Sequence, residues 1–261
     1  MRLVMDTPKF AVYDDVLPEE EFKKLWLYVQ NDMYAYPHTQ QWMKVWRLND
    51  GTPVGSRDYK YTERPFNNPI DIISDAVEKV VPNHDFVKPW DELHIRSYLY
   101  PRNTKLSWHN DSGYEGAFIF YTHPRWASTW GGELMIHEVP EELPKWHHGD
   151  ETTKPHLDHR WEDAVLEAYG MGNYITAKPN RLVITGKNVW HAVNRVDADA
   201  GDNSRCSVVG FYKKYPEEIQ ELEDLHEEVR EVDKKYLPVK NIEIETVDPI
   251  QAMKAINTIK L

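Results

Sequence analysis

The sequence predicts a mainly β domain with flanking helices, and three observations carry that prediction. The 261 residues include ten Trp and fifteen Tyr within a 41% hydrophobic composition, an aromatic load that suits pleated, half-buried surfaces. Between residues 92 and 213, short apolar runs of strand length are separated by Gly, Pro and Asn punctuation. Sustained helical spacing of apolar residues falls before residue 82 and after residue 216, apart from a short patch at 162–169.

In chain order, 10–16 (Phe-Ala-Val-Tyr-Asp-Asp-Val) reads as an opening strand. A helix follows from 17: Pro18 sits near its first turn, and Glu19, Glu20 and Glu21 stand at the positive end of its dipole. Phe22, Leu25, Trp26 and Val29 give it one apolar face. Residues 34–70 read as irregular, punctuated by Pro37, Gly51, Pro53, Gly55, Pro65 and Pro69. Within them Trp42 and Trp46 share a face of one helical turn, against the sheet or at a substrate entrance. A second amphipathic helix is expected from Ile70 to Val81, ended by Pro82 because proline disfavours helical backbone in the residue before it.

The run 92–100 alternates, so Leu93, Ile95, Ser97 and Leu99 face one way and His94, Arg96, Tyr98 and Tyr100 the other. Further strands are expected at 106–111, 116–122, 133–136, 181–185 and 205–212, the last with Arg205, Ser207, Val209 and Phe211 on one face. Gly131 and Gly132 supply backbone angles that other residues resist. Residues 137–175 form a long insert holding five of the twelve histidines: His137, His147, His148, His156 and His159. Lacking cysteine partners, they read as a lid that is solvated or gates the substrate rather than as a zinc site. Residues 197–203 read as a polar hairpin loop. The tail, 216–261, reads as two helices, one acidic with Ile219, Leu222, Leu225 and Val229 as a stripe for docking or a homodimer contact. With no internal repeat or low-complexity linker, the whole chain 1–261 is expected to form one domain: core about 92–215, N-terminal helices within 17–82, insert 137–175 and tail 216–261.

Bulk composition excludes several function classes. The formal net charge is −12, and the tail, with twelve acidic and six basic residues, supplies −6 of it. That is opposite to the basic footprint of a nucleic-acid binder. No run approaches the ~18–20 apolar residues of a membrane span, and the first residues lack the apolar core of a signal peptide. The single cysteine, Cys206, fits a reducing compartment. The expectation is a cytoplasmic protein with no nucleic-acid or membrane partner.

The chemistry concentrates in 106–111 (Leu-Ser-Trp-His-Asn-Asp) and in His191. Residues two apart on a strand project to the same face, so His109 and Asp111 present an imidazole beside a carboxylate. His191, near a strand-like run, supplies a second imidazole. Two His and one carboxylate with open positions left over form the facial triad of non-haem Fe(II) oxygenases. The opposite side of such a metal can take a bidentate oxo-acid, whose remote carboxylate wants a planar, fixed charge. Arg205 fits that need, with hydroxyls from Ser207 and Tyr98 beside it and Tyr121 as a weaker candidate. Arg96, on the cavity face, is either a structural ion pair or a substrate contact. Trp108 and Trp130, close in sequence to the ligands, are either walls or substrate platforms.

His109-Asn-Asp111, Gly131-Gly-Glu-Leu134, Lys178-Pro-Asn-Arg-Leu-Val-Ile184, His191-Ala-Val193 and Arg205-Cys-Ser207 occur in one order. In that order the chain resembles the prolyl-4-hydroxylase-like 2-oxoglutarate/Fe(II) dioxygenases, over about 93–213 and again at 14–19. The resemblance implies a double-stranded β-helix, or jelly-roll, core. It also implies Fe(II), 2-oxoglutarate and O2, with succinate and CO2 as co-products and ascorbate as an accessory reductant. His109, Asp111 and His191 would be the catalytic metal ligands; Arg205, Ser207 and Tyr98 would hold the co-substrate. The iron halogenases of this superfamily replace the carboxylate ligand with a small residue, so Asp111 points to hydroxylation. The chain departs from the compact pattern in the 137–175 insert and in the fourteen residues from His191 to Arg205. The expected activity is hydroxylation of a small molecule or amino-acid-type substrate. A prolyl or peptidyl hydroxylase, a cupin-like oxygenase needing no oxo-acid, and a non-catalytic jelly-roll module are the alternatives.

Overall fold

The computed structural model describes residues 1–35, 53–111, 113–137 and 172–215. Trp42 and Trp46, the insert histidines 147, 148, 156 and 159, the helical patch at 162–169 and the 216–261 tail with its proposed dimer stripe lie outside the described residues. All described residues but Tyr215 belong to one compact unit, Met1–Lys214.

Twelve strands and two α-helices are described in this unit. β1 (Arg2–Asp6) and β2 (Phe10–Asp14) precede helix α1 (Glu19–Asn31). Two short strands, β3 (Val54–Gly55) and β4 (Tyr59–Lys60), lead to helix α2 (Ile70–Val80). Then come β5 (Glu92–Tyr100), β6 (Leu106–Asn110), β7 (Gly116–Tyr121), β8 (Leu134–His137), β9 (Gly172–Ile175), β10 (Leu182–Gly186), β11 (Trp190–Val193) and β12 (Arg205–Lys213). They form two antiparallel sheets. The larger runs β1-β2-β10-β7-β12-β5-β3, with β4 also on β5; the smaller runs β6-β11-β8-β9. Two facing sheets with helices on one outer side are the jelly-roll arrangement the sequence implied.

Alternation decides which residues face the helices. Leu25 and Val29 of α1 and Ile70, Ile73 and Val77 of α2 pack on the larger sheet against a cluster including Leu93, Ile95, Phe118, Phe120, Leu182 and Val208. The intervening positions, among them Ile119, Tyr121 and Val183, turn inward toward Leu134 and Ile136 of the smaller sheet. Leu25 and Val29 are fully buried, each stabilising the fold by roughly 2 kcal/mol relative to exposure.

Several sequence expectations need correction. β1 carries no sequence signal: all five of its residues are exposed, so no burial pattern marks it. The opening strand stops at Asp14 because Asp15 takes a φ of 53°, outside the range of strand backbone. The 34–70 stretch contains β3 and β4, too short to show a period. Residues 172–175, assigned to the insert, form β9 and pair with β8, so both ends of the insert are anchored in the smaller sheet. Residues 198–200, in the polar loop, form a 3-10 turn capped by the Asp197 side chain, which accepts from the Asp199 N–H.

The run 178–184 serves as a clasp. Asp14, almost wholly buried, takes Arg181 through two hydrogen bonds of 2.7 and 3.2 Å and Lys178 at 2.8 Å. Burial alone would raise the Asp14 pKa, but these two cations outweigh it and hold the carboxyl below its ordinary value. The Asn180 side chain accepts from the Leu17 N–H at 2.9 Å and donates to the Leu17 carbonyl at 2.8 Å. The N-terminal segment is thereby stitched to the entry of β10. No helix among the described residues is long and apolar enough to cross a membrane.

Candidate metal and co-substrate site

β6 and β11 lie side by side in the smaller sheet with His109 directly opposite His191. Cross-strand neighbours on one face come close, and the two imidazole centroids are 4.3 Å apart. Asp111 follows β6 by one residue. Its carboxylate oxygens lie 3.6 Å from His109 Nε2 and 3.5 Å from His191 Nε2, and one ligand atom from each of the three residues falls within 4.8 Å of the others. Around a metal with bonds of about 2.1 Å, adjacent ligand atoms would sit roughly 3 Å apart. The two separations from Asp111 need to close by only about half an ångström.

The tautomer of His191 is set by its surroundings. Its Nδ1 lies 2.8 Å from the Val189 carbonyl, which can only accept, so Nδ1 carries the proton and Nε2 presents its lone pair to Asp111 and His109. That carbonyl-to-imidazole arrangement orients metal-binding histidines. A borderline cation that accepts imidazole and carboxylate, such as Fe(II), fits this donor set.

The three residues open into a cavity of about 350 Å³ between the sheets. β5 and β12 form its floor, and their register sets a ladder of inward-facing pairs: Arg205 with Tyr100, Ser207 with Tyr98, Val209 with Arg96, and Phe211 with His94. All of them line the cavity. At the inner end Arg205, 1% exposed, donates from Nε to the Gly132 carbonyl at 2.8 Å. Among the described residues, its two terminal nitrogens make only long contacts of 3.4 Å, to Ser207 Oγ and Tyr121 Oη. The rings of Tyr100 and Tyr121 each lie 4.8 Å from the guanidinium carbon, a cation–π bracket. The fork is thus oriented by one strong bond and two rings, and its terminal donors are left for a ligand.

Gly132 explains the Gly-Gly pair. Its φ is +73°, and a Cβ there would stand 2.9 Å from Arg205 Cδ. Gly131, with φ +69°, has even less room: a Cβ would meet the Arg195 carbonyl oxygen at 2.1 Å. Behind Arg205, the fully enclosed His123 accepts the Cys206 N–H at Nδ1, 3.1 Å, and donates from Nε2 to the Ala177 carbonyl at 2.6 Å. Burial drives its pKa down to about 4, with nearby Arg205 adding to the effect. Burial also raises Tyr98 well above its ordinary range and pushes Tyr100 up to about 12, against the opposing pull of Arg205. Both phenols remain proton donors at neutral pH.

The structure therefore brings His109, Asp111, His191, Arg205, Ser207, Tyr98 and Arg96 to one cavity. Trp108 and Trp130 do not line it. Trp108 follows Ser107 and precedes His109 on β6, so it points to the other face, edge-on to His137 with ring centroids 5.6 Å apart. Trp130 packs edge-on against Trp126, 5.2 Å away, beside the cluster of Val193 and Val196. Both are packing side chains. Register also shifts emphasis among the tyrosines: Tyr100 and Tyr121 bracket Arg205, whereas Tyr98 stands one step further along, opposite Ser207. The outer end adds residues that sequence reasoning did not single out. His94 Nδ1 donates to the Asp58 carboxylate at 2.7 Å, and the Tyr114 and Phe211 rings lie 4.8 Å apart. The alternation of 92–100 pointed His94 inward, but nothing in the sequence tied it to Asp58.

Residues 93–213 match the sequence model of the 2OG-Fe(II) oxygenase superfamily. A prolyl-4-hydroxylase of Pseudomonas putida is similar in fold, with a TM-score of 0.53 at 12% identity, over 80% of this chain and 94% of that one. A prolyl hydroxylase of Trichoplax adhaerens, solved with a hypoxia inducible factor oxygen degradation domain peptide fragment, gives 0.52 at 12%, over 80% and 84%. At such identities the likeness is one of fold. No curated protein matches the sequence significantly.

Proposed function

Residues 93–213 place this chain in the 2OG-Fe(II) oxygenase superfamily, and from that premise we propose that it hydroxylates an unactivated C–H bond of a small molecule or amino-acid-type substrate. It is a 2-oxoglutarate-dependent dioxygenase, with Fe(II), 2-oxoglutarate and O2 as its reaction partners. The observation that supports the finer reading is the convergence of His109, Asp111 and His191 with Arg205 on one cavity. When bound, the iron with 2-oxoglutarate and O2 supplies the oxidising power for C–H cleavage, and succinate and CO2 leave as co-products.

The chain's own residues do the rest. His109, Asp111 and His191 would grip the metal from one side and leave the other open. Arg205 would take the remote carboxylate of 2-oxoglutarate through its two free-facing nitrogens, with Ser207 and Tyr121 hydroxyls beside it. Two parallel charge-assisted hydrogen bonds fix both position and angle. The Tyr100 and Tyr121 rings keep water from the guanidinium, which strengthens its hold on an anion. Asp111 would occupy the position that a halide needs, which favours hydroxylation. A volume of about 350 Å³ lies at the small end of ligand sites; once the co-substrate is seated, the remainder suits a compact substrate better than a folded partner.

The test is succinate release. Purified protein given Fe(II) and 2-oxoglutarate should form succinate slowly without a prime substrate and faster with one, and His109→Ala should reduce release to background. Wild-type release that survives complete removal of iron would contradict the reading.

A further inference from the structure

The ladder on β5 and β12 extends past the space a five-carbon diacid needs. Antiparallel strands rise about 3.4 Å per residue. Val209, the partner of Arg96, is four residues along β12 from Arg205, so the two arginine rungs stand roughly 14 Å apart on one cavity floor. The metal-ligand group lies along the same cavity.

Arg96 is incompletely satisfied. Among the described residues its guanidinium makes no hydrogen bond, and its ionic contact is Asp58 at 4.0 Å, longer than a bonded pair. Asp58 is already committed to His94 Nδ1 at 2.7 Å. His94 Nε2, on the far side of that ring, is buried without a hydrogen-bond partner. Arg96 is only 22% exposed at its side chain, so water alone serves its five donors poorly, and unpaired donors in such a place are costly. Val209, Phe211 and the Tyr114 ring supply apolar wall around it.

We propose that Arg96 receives a carboxylate of the prime substrate, which is therefore a small carboxylic acid held with its reacting carbon toward the metal ligands and its skeleton against Phe211 and Tyr114. Asp58 acts as the positioning residue: it holds His94 and keeps the Arg96 fork facing the cavity. A bidentate guanidinium–carboxylate pair gives the geometric selectivity that this requires. The cavity then has two carboxylate ends, Arg205 for the co-substrate and Arg96 for the substrate. This inference rests on the assignment of Arg205 to 2-oxoglutarate.

The test uses the full chain loaded with Ni(II) and 2-oxoglutarate, which cannot turn over, and follows binding by calorimetry. The probes are the common free amino acids and their C-terminal amides. At least one acid should bind, and its amide, lacking the charge, should bind roughly 10- to 100-fold more weakly. Arg96→Gln should weaken the acid by a similar factor and erase the acid–amide difference, with 2-oxoglutarate affinity unchanged within about twofold. Arg96→Lys, which keeps the charge but not the fork, should fall between. The acid–amide comparison is made on the wild-type protein, so it holds whether or not the variants fold. Equal binding of acid and amide, unaltered acid binding in Arg96→Gln, or no acid bound by protein that has taken up Ni(II) and 2-oxoglutarate would each overturn the proposal. Failure to take up the metal or 2-oxoglutarate at all would instead strike at the functional reading beneath it.

Discussion

At the inner end of the cavity Arg205 is sealed between two tyrosine rings and tied to the Gly132 carbonyl at 2.8 Å. At the outer end Arg96 rests on one contact of 4.0 Å with an Asp58 that is itself a third exposed. The inner arginine stands where β12 enters the centre of the larger sheet, paired with β5 on one side and β7 on the other. The outer one depends on Asp58, which lies between the two-residue strands β3 and β4. Under the roles proposed above, the difference separates two tasks. A group that must bind the same small diacid every time can be built into the most rigid part of the fold. A group that selects the substrate can sit at the rim, where a loop residue retunes it without disturbing the core.

The largest expected effect probes the proposed metal ligands that both ends share. Asp111→Ala removes the charge lying 3.5 and 3.6 Å from two imidazoles. Iron retained after dialysis, measured by elemental analysis, should fall more than tenfold; full retention would mean that the metal is held elsewhere. The next effect asks whether the inner end is as closed as its packing implies. His123 is pushed down to about 4 by burial, below the ~6.5 of an unfolded histidine. The unfolded chain therefore binds the proton first as pH falls. The neutral imidazole contributes stability that is fully present above about pH 6.5 and is lost as pH falls toward 4, by about 3 kcal/mol at most. His123→Gln should flatten that part of a denaturant-derived stability profile, and an unchanged slope would show that the ring is not sealed.

These expectations also show what could be read in the chain beforehand. The Glu92–Tyr100 strand was legible to the residue because one side faces helices and the other a cavity, which forces strict alternation. The α2 stripe and the His109–Asp111 pair were legible for similar reasons: period and spacing are local properties; His191, eighty residues further on, joins them through the ordered motifs that carry the family resemblance. The choice left open for Trp108 and Trp130, wall or substrate platform, needed the fold, because nearness in sequence to a ligand is not nearness in space; adjacent residues on a strand face opposite ways. The choice among Tyr98, Tyr100 and Tyr121 required the β5–β12 and β7–β12 registers, which no single strand reveals. Asp58 was invisible because its partner His94 lies thirty-six residues away, across a stretch without periodicity. β1 is exposed throughout and leaves no pattern to find.

The smallest expected effect belongs to the outer end. Asp58→Ala should cost only about 1 kcal/mol of stability, since the pair is partly open to solvent. It should leave 2-oxoglutarate binding unaltered while weakening binding of the acids proposed for Arg96. Loss of 2-oxoglutarate affinity in that variant would merge the two ends that the structure keeps apart.

The most direct measurement of the central assignment is an anaerobic titration of the Fe(II)-loaded protein with 2-oxoglutarate, followed by the visible charge-transfer band of the chelate. The wild-type protein should develop the band and saturate. Arg205→Ala should develop the same band only at roughly 100-fold higher concentration, because the metal site is intact and the anchoring end is gone. A variant that titrates like the wild type, or a wild-type protein that shows no band, would contradict the placement of metal ligands and Arg205 in one working site.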